Sequence, residues 1–117
     1  MREVYQAEFK YKAKKEKDLY PLLKNKVFSK SIKIYSTVFR GFPDFIVVSL
    51  QSPFSSYLSA GFYEVKFVQK YPQNLLSLLS PYQKKAFEFL SEAFPCYLVV
   101  GSALDEGNVQ VRFWAFQ

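Results

Sequence analysis

The sequence contains no histidine and only one cysteine, Cys96. Without histidine, the chain cannot build a Ser-His-Asp triad, a histidine general base or a histidine-ligated zinc site. A single cysteine forms no internal disulfide and, with no histidine present, supports no structural zinc site. This cysteine usage is typical of a reducing cytoplasm, which for a viral chain would be the host cell's. Any catalysis must therefore rely on carboxylates, lysine, tyrosine or serine.

Long apolar runs are also missing. No run approaches the roughly 20 residues that a membrane-spanning helix needs. The charged N-terminal segment lacks the apolar stretch of a secretory signal, so we expect no membrane partner. Half of the residues are apolar and a fifth are aromatic, which excludes a disordered chain. A length of 117 residues predicts one domain, residues 1–117, with a sizeable core.

The positive charge is concentrated in the first third of the chain. The formal net charge is +6, and residues 1–40 carry eleven lysines or arginines against four acids. The remaining 77 residues carry five against six. This asymmetry is typical of proteins that bind a polyanion, and we expect DNA as the partner. The alternative is a solvated face that only maintains solubility. The candidate DNA contacts are four closely spaced lysines, Lys12, Lys14, Lys15 and Lys17.

The pattern of residue types predicts an α/β fold with a mixed central β-sheet flanked by helices. Residues 2–19 lack glycine and proline and predict a helix, although their apolar residues also alternate as in a strand. A second helix is predicted from Ser80, a good N-cap that is followed by proline and by a capping glutamine. Strands are predicted over residues 31–39, 44–50, 62–68, 96–102 and 109–116.

Two strands bring unusual charges into an apolar context. The stretch "GFPDFIVV" places Asp44 at the start of a nearly apolar strand, and "FYEVKFV" places Glu64 and Lys66 two residues apart, on one face. Burying such groups without partners costs several kcal/mol. The alternatives are ordinary Pro-Asp turn chemistry at Asp44 and a weak, exposed ion pair on the later strand.

Pairing of these strands as a hairpin predicts a metal site. Asp44 would then lie beside Glu64, and a divalent cation would remove the repulsion between the two carboxylates. Oxygen ligands of this kind suit Mg²⁺, with Mn²⁺ as a substitute. The carbonyl of Val65 could supply a third oxygen. Lys66 would stand beside the metal, where its ammonium could stabilise charge on a phosphate.

The pattern "PD", with "EVK" about twenty residues later, resembles the signature of the PD-(D/E)XK nuclease superfamily. The stretch "GFPDFIVV" is similar to the family's Gly-x-Pro-Asp strand. "LSPYQKKAFEFLSEAFPCYLVV" is similar to the segment after the EVK strand in the VRR-NUC branch. Archaeal Holliday junction resolvases share this core and are the nearest alternative. The resemblance covers roughly residues 40–101 and implies a restriction-endonuclease-like core. The "VRR" triplet itself is absent, and "VFRG" is a partial match.

The resemblance implies roles at the matching positions. Asp44 and Glu64 would be metal ligands and Lys66 the catalytic lysine. Gln83 would be the glutamine that lines such sites, although a glutamine three residues after an N-cap also caps a helix without any catalytic role.

The family commonly adds an acid from its first helix. Glu3, Glu8 and Glu16 are the candidates here. If residues 2–19 are helical, Glu8 lies within the apolar arc and is our prediction. If the segment is a strand, or if the helix begins later, Glu16 replaces it.

The resulting functional prediction is a Mg²⁺-dependent endonuclease that hydrolyses DNA phosphodiester bonds. Because no separate specificity domain is present, we expect selectivity for DNA structure, such as flaps or branches. The alternatives are a non-catalytic basic nucleic-acid-binding protein with a nuclease-like fold, and an interaction protein assembled through its aromatic residues.

We also expect a homodimer, since DNA with two-fold character is cut in pairs and the aromatic content is high. The predicted interface is the connection that contains Phe54, Tyr57 and Leu58. The alternative is that these residues fold back onto the sheet of their own chain.

Overall fold

Six strands form one mixed sheet in the computed structural model, which describes residues 1–35 and 39–116. The elements are β1 (Arg2–Lys10), α1 (Leu19–Lys26), β2 (Phe28–Lys33), β3 (Phe45–Leu50), β4 (Gly61–Phe67), α2 (Pro81–Leu90), β5 (Cys96–Asp105) and β6 (Asn108–Ala115). The strand order is β1-β6-β5-β4-β3-β2. Among the strands of the described residues, only β4 and β5 pair in parallel, and α2 connects them; the other neighbours are antiparallel. The predicted mixed α/β architecture is confirmed.

The two helices belong to different hydrophobic clusters. One contains Leu19 and Leu23 of α1, together with Tyr63 and Val65 of β4. The other contains Phe87 and Leu90 of α2, together with Leu98 and Val100 of β5. Each large side chain buried in this way contributes about 1.5–3 kcal/mol. β4 and β5 are therefore covered on both faces, and a charged side chain on β4 is removed from water.

The helix predicted over residues 2–19 is wrong. Residues 2–10 form the edge strand β1, in which Ala7 lies opposite Val111 and Phe9 opposite Val109. The alternation of apolar residues determines the outcome because β6 offers a strand edge to pair with. The helix begins only at Leu19, and Pro21 lies in its first turn, where a missing N–H costs no hydrogen bond.

The strand predicted over residues 31–39 begins and ends earlier than expected. β2 starts at Phe28, ends at Lys33 and pairs with β3. Residues 36–38 of the predicted range lie outside the described residues. The remaining predicted strands are found in place, with bounds that differ by a few residues.

The connection between β3 and β4 does not form the exposed surface predicted for a dimer interface. Phe54 and Leu58 are each only 5% exposed and belong to the core of their own chain. The ring of Phe54 packs edge-on against Phe113 at 5.8 Å. Tyr57 is 53% exposed, but it stacks on Tyr5 with 4.5 Å between ring centroids. The interface predicted at Phe54 and Leu58 is therefore wrong, because their side chains are used internally.

The N-terminus of α2 has the predicted cap. The Ser80 hydroxyl accepts from the backbone N–H of Gln83 at 3.1 Å, and the Ser80 N–H donates to Gln83 Oε1 at 2.9 Å. Pro81 occupies the first helical position. Of the helices in the described residues, none has both the length and the apolar composition needed to cross a lipid bilayer.

Candidate functional site

Asp44 lies at the point where the pairing of β3 with β4 stops. The last backbone pair is Phe45 with Tyr63, so the next N–H on that side of β4, that of Val65, has no strand partner. The Asp44 carboxylate takes this place and accepts from Val65 N at 2.8 Å through Oδ2. The predicted proximity of the two strands at Asp44 is therefore observed.

The backbone conformation and close packing at position 41 explain why the "GFPD" stretch begins with glycine. Its φ of +77° lies in the left-handed region that favours glycine. A Cβ at this position would lie 2.4 Å from the carbonyl carbon of Tyr82 and 2.5 Å from the amide nitrogen of Gln83. The turn before Asp44 therefore packs directly on the first turn of α2, which brings the two segments together.

Glu64 is the only polar or charged residue that is buried among the described residues, with 2% exposure. Its Oε2 accepts from Gln83 Nε2 at 3.1 Å and lies 3.7 Å from Lys66 Nζ. Its Oε1 is buried and has no hydrogen-bond partner in the described part of the chain. An acceptor that is left unpaired in this way costs about 1–3 kcal/mol. The alternative of an exposed strand face with a weak ion pair is therefore not found at Glu64.

Glu16, rather than Glu8, lies beside the two strand carboxylates. One oxygen from each of Glu16, Asp44 and Glu64 lies within 4.8 Å of the other two. Glu8 is exposed on β1, and two strands, β6 and β5, separate β1 from β4. Glu3, the third candidate, forms a two-pronged ion pair with Arg112. The choice of Glu8 depended on a helix that does not exist, and Glu16, the alternative for a strand, is the residue at the cluster.

Tyr20 and Lys33 also contact the cluster, and sequence reasoning missed both. The Tyr20 hydroxyl lies 3.3 Å from Asp44 Oδ1 and 3.4 Å from Glu16 Oε2, and can donate to either. Lys33 Nζ lies 3.8 Å from Asp44 Oδ1 and donates to the Ile34 carbonyl at 2.7 Å. In the sequence, Lys33 stands between two isoleucines near the start of a predicted strand, and no motif marks it as part of a site.

Burial and like charge perturb the proton affinities of these groups. Burial first, and then the Asp44 carboxylate, raise the pKa of Glu64 from 4.5 to about 9, while Lys66 acts in the opposite direction. Burial also raises the pKa of Glu16, against the lowering effect of Lys66. The pKa of Tyr20 is raised by burial and then by Asp44. Without a cation, Glu64 therefore holds a proton at neutral pH.

The donor atoms fit a hard divalent cation. Three carboxylates surround one point, and the unpaired Glu64 Oε1 is available to coordinate. The N–H and C=O of one strand residue point to the same side, so the Val65 carbonyl faces the side where its N–H meets Asp44. Oxygen-only ligand sets of this kind are the ones that Mg²⁺ and Mn²⁺ prefer.

Gln83 caps α2 and also contacts Glu64. Its Oε1 accepts from the Ser80 N–H and caps α2, while its Nε2 donates to Glu64. The backbone N–H can only donate, so it fixes the amide oxygen on the cap and directs the NH₂ group towards the carboxylate. Capping therefore orients the residue for its contact with the site.

The four lysines predicted to contact DNA are all exposed in the connection between β1 and α1. None of their ammonium groups forms an ion pair within residues 1–35 and 39–116. Glu16 lies within the same short segment, between Lys15 and Lys17. Free positive charge is thus placed next to the carboxylate cluster.

Comparison with known proteins does not identify the chain: no protein-family model, no curated protein and no solved structure matches it. The resemblance to the PD-(D/E)XK superfamily therefore continues to depend on the motifs in residues 40–101. The geometry of the carboxylate cluster is independent of that resemblance.

Proposed function

We propose that the protein is a divalent-metal-dependent endonuclease of the PD-(D/E)XK type, which hydrolyses phosphodiester bonds in DNA. The observation that carries this proposal is Glu64, a buried carboxylate with one unpaired oxygen, held against Asp44 and Glu16 with Lys66 alongside. The order of elements supports a restriction-endonuclease-like core. α1 is followed by three antiparallel strands, a crossover helix and a parallel strand, as the resemblance implies.

The energetics of the cluster favour a functional origin over a structural one. An apolar side chain at position 64 would pack into the same space without the cost of desolvation. The protein instead places three carboxylates together, and the folded state raises the pKa of two of them. Groups with such perturbed pKa values concentrate at sites of catalysis and ligand binding.

Different residues would hold the cation and contact the phosphate. Glu16, Asp44, Glu64 and the Val65 carbonyl would hold the cation. When bound, the cation lowers the pKa of water and offsets negative charge on the phosphate. Lys66 keeps a 19% exposed side chain at the edge of the cluster, where its ammonium can contact a phosphate oxygen as negative charge increases during attack.

Three further residues keep the carboxylates in position. Tyr20 spans Glu16 and Asp44 with one hydroxyl. Gln83 holds Glu64 through its amide. Lys33 offsets part of the charge on Asp44.

The exposed lysines would supply long-range attraction to DNA. Contacts between lysine and phosphate are independent of sequence, so they attract DNA without selecting a base. Specificity would then depend on the shape of the substrate, such as a flap or a branch.

The proposal is tested by incubating the purified protein with labelled linear duplex, flap and four-way DNA, in Mg²⁺, Mn²⁺ or EDTA. We expect cleavage with either metal and none in EDTA. Asp44→Asn and Glu64→Gln should abolish it, whereas Glu88→Gln on the exposed side of α2 should cleave like the wild type. Cleavage that persists in EDTA, or in both site variants, would refute the proposal.

The exposed, unpaired lysines equally suit the second candidate, a nucleic-acid-binding protein without catalysis. Under that alternative, the wild type would bind DNA with the same affinity as Glu64→Gln and cut none of the three substrates with either metal. The predicted homodimer is a separate proposal, and such a dimer must use a surface other than Phe54 and Leu58.

A further inference from the structure

A groove with a volume of about 590 Å³ opens directly beside Asp44. Its walls come from four segments: the basic connection, α1, the end of β2, and the turn before β3. It is lined by residues that include Lys17, Tyr20, Lys33, Tyr35, Phe42 and Asp44. Because Tyr20 and Asp44 belong to both the groove and the carboxylate cluster, a ligand in the groove lies next to the cluster.

The outer part of the groove presents an aromatic ring to solvent. Tyr35 is 87% exposed and Phe39, which also lines the groove, is 69% exposed. Lys33 Nζ lies 4.8 Å from the ring centre of Tyr20 and 5.1 Å from that of Tyr35. The Lys33 ammonium group thus lies over both tyrosine rings, within the distance of a cation–π contact.

This combination of aromatic rings and positive charge fits the chemistry of an unstacked nucleotide. Every base has a π-face that stacks on an aromatic ring, and lysines attract the backbone phosphates. Lys17 supplies a free ammonium at the rim of the groove. The volume lies within the range of roughly 300–1,000 Å³ that accommodates small ligands, which suits one or two nucleotides. A fully paired duplex keeps its bases stacked and presents no free base face to the groove.

We propose that this groove binds an unpaired nucleotide beside the scissile phosphate, with its base stacked on Tyr35. This inference rests on the proposed nuclease function and specifies its substrate class, namely DNA that carries a single-stranded branch. The groove would select such DNA because only an unpaired base can leave the duplex at little cost.

The test is a binding measurement in EDTA, so that it does not depend on cleavage. Fluorescence anisotropy compares a flap substrate with a blunt duplex of the same paired sequence, using the wild type, Tyr35→Ala and Tyr35→Phe. Loss of one base–aromatic stack should weaken flap binding roughly 5- to 150-fold in Tyr35→Ala. Blunt-duplex binding should hardly change, and Tyr35→Phe should retain the wild-type affinity for the flap.

The matched control is Phe89→Ala, which removes an aromatic side chain of 75% exposure from α2, outside the groove. It should bind the flap like the wild type. Thermal unfolding should show that both alanine variants are folded, since each side chain is largely exposed.

A photocrosslink gives an independent readout. 5-Iodouracil at each unpaired position of the flap should crosslink to Tyr35 at one position, as identified by mass spectrometry. The inference is overturned if Tyr35→Ala affects flap and duplex equally, if it affects neither, or if crosslinks form only outside the groove.

The result also separates the two proposals. If Tyr35 proves selective for the flap while no DNA is cut in Mg²⁺ or Mn²⁺, the nuclease proposal fails and the nucleotide site stands. If the wild type cuts flap and blunt duplex equally well and Tyr35→Ala binds both like the wild type, the nuclease proposal stands and the groove assignment fails.

Discussion

Replacing Glu64 by glutamine should stabilise the metal-free protein at neutral pH. Glutamine has the same shape as a protonated carboxyl group but carries no charge to desolvate. In the unfolded chain, Glu64 ionises above a pKa of 4.5, whereas in the folded chain it keeps its proton up to a pKa of about 9. The contribution of this group to folding stability is therefore complete below pH 4.5 and is lost as the pH rises towards 9.

The size of this loss follows from the pKa shift. Each pH unit above the unfolded pKa is worth about 1.4 kcal/mol, so the wild type loses roughly 3 kcal/mol between pH 4.5 and pH 7. Glu64→Gln does not carry this cost. The neighbouring groups that face position 64 are Asp44, Lys66 and Glu16, and all three are present in both proteins. Their own titration therefore largely cancels in the comparison.

Urea unfolding in EDTA at several pH values between 5 and 8 measures the difference. At pH 5 the two proteins should be nearly equal, and Glu64→Gln should become the more stable one as the pH rises. Glu88→Gln, on the exposed side of α2, should behave like the wild type throughout. Mg²⁺ at a hundredfold excess over its Kd should stabilise the wild type by about 2.7 kcal/mol and so nearly cancel the difference at pH 7. A constant difference across the pH range would refute the conclusion that burial raises the pKa of Glu64.

Four further predictions concern the third carboxylate, Lys66, the oligomeric state and the basic connection. Glu16→Gln should weaken Mg²⁺ binding measured by calorimetry, while Glu8→Gln should leave it unchanged. The opposite pattern would identify Glu8 on β1 as the third carboxylate. Lys66→Ala should lose most of the cleavage rate in single-turnover assays but keep its DNA affinity, as Lys70→Ala should keep both; an equal loss of rate and affinity would make Lys66 a simple phosphate contact. Sedimentation equilibrium should give twice the monomer mass of 13.7 kDa if the protein is a homodimer, and a mass near 13.7 kDa excludes that dimer. Charge reversal of the basic connection should weaken DNA binding for all sequences and flatten its salt dependence, and unchanged anisotropy would leave these residues a role in solubility only. The reversed residues are Lys12, Lys14, Lys15 and Lys17.

The parts of the fold that were predicted correctly are those whose signals are local. The cap at Ser80 and Gln83 involves residues three apart, and it fixed the start of α2. Asp44 directly precedes β3 and Glu64 lies on β4, the next strand in the chain, so hairpin pairing was enough to bring them together.

The features that were predicted wrongly or missed depend on contacts between residues that are distant in sequence. Residues 2–10 have a composition compatible with helix or strand, and the outcome depends on β6, about a hundred residues away. Phe54 and Leu58 look like loop residues in the sequence, but the core cluster that contains Phe113 buries them. Tyr20 and Lys33 approach Asp44 only once α1 and β2 have packed, and no sequence motif marks either residue.

The strand β1 also explains why the third carboxylate and the basic charge occur together. β1 runs parallel to β4 across the sheet, because it is antiparallel to β6, which is antiparallel to β5, which is parallel to β4. The C-terminal ends of β1 and β4 therefore lie at the same end of the sheet. The segment from β1 to α1 therefore crosses the sheet at these strand ends. It passes the carboxylates there and places Glu16 beside Asp44 and Glu64. The exposed lysines of this segment lie at the same end of the sheet. A helix over residues 2–19 would not have placed Glu16 or the lysines at this position. The wrong helix and the wrong third carboxylate, Glu8, therefore have one physical cause.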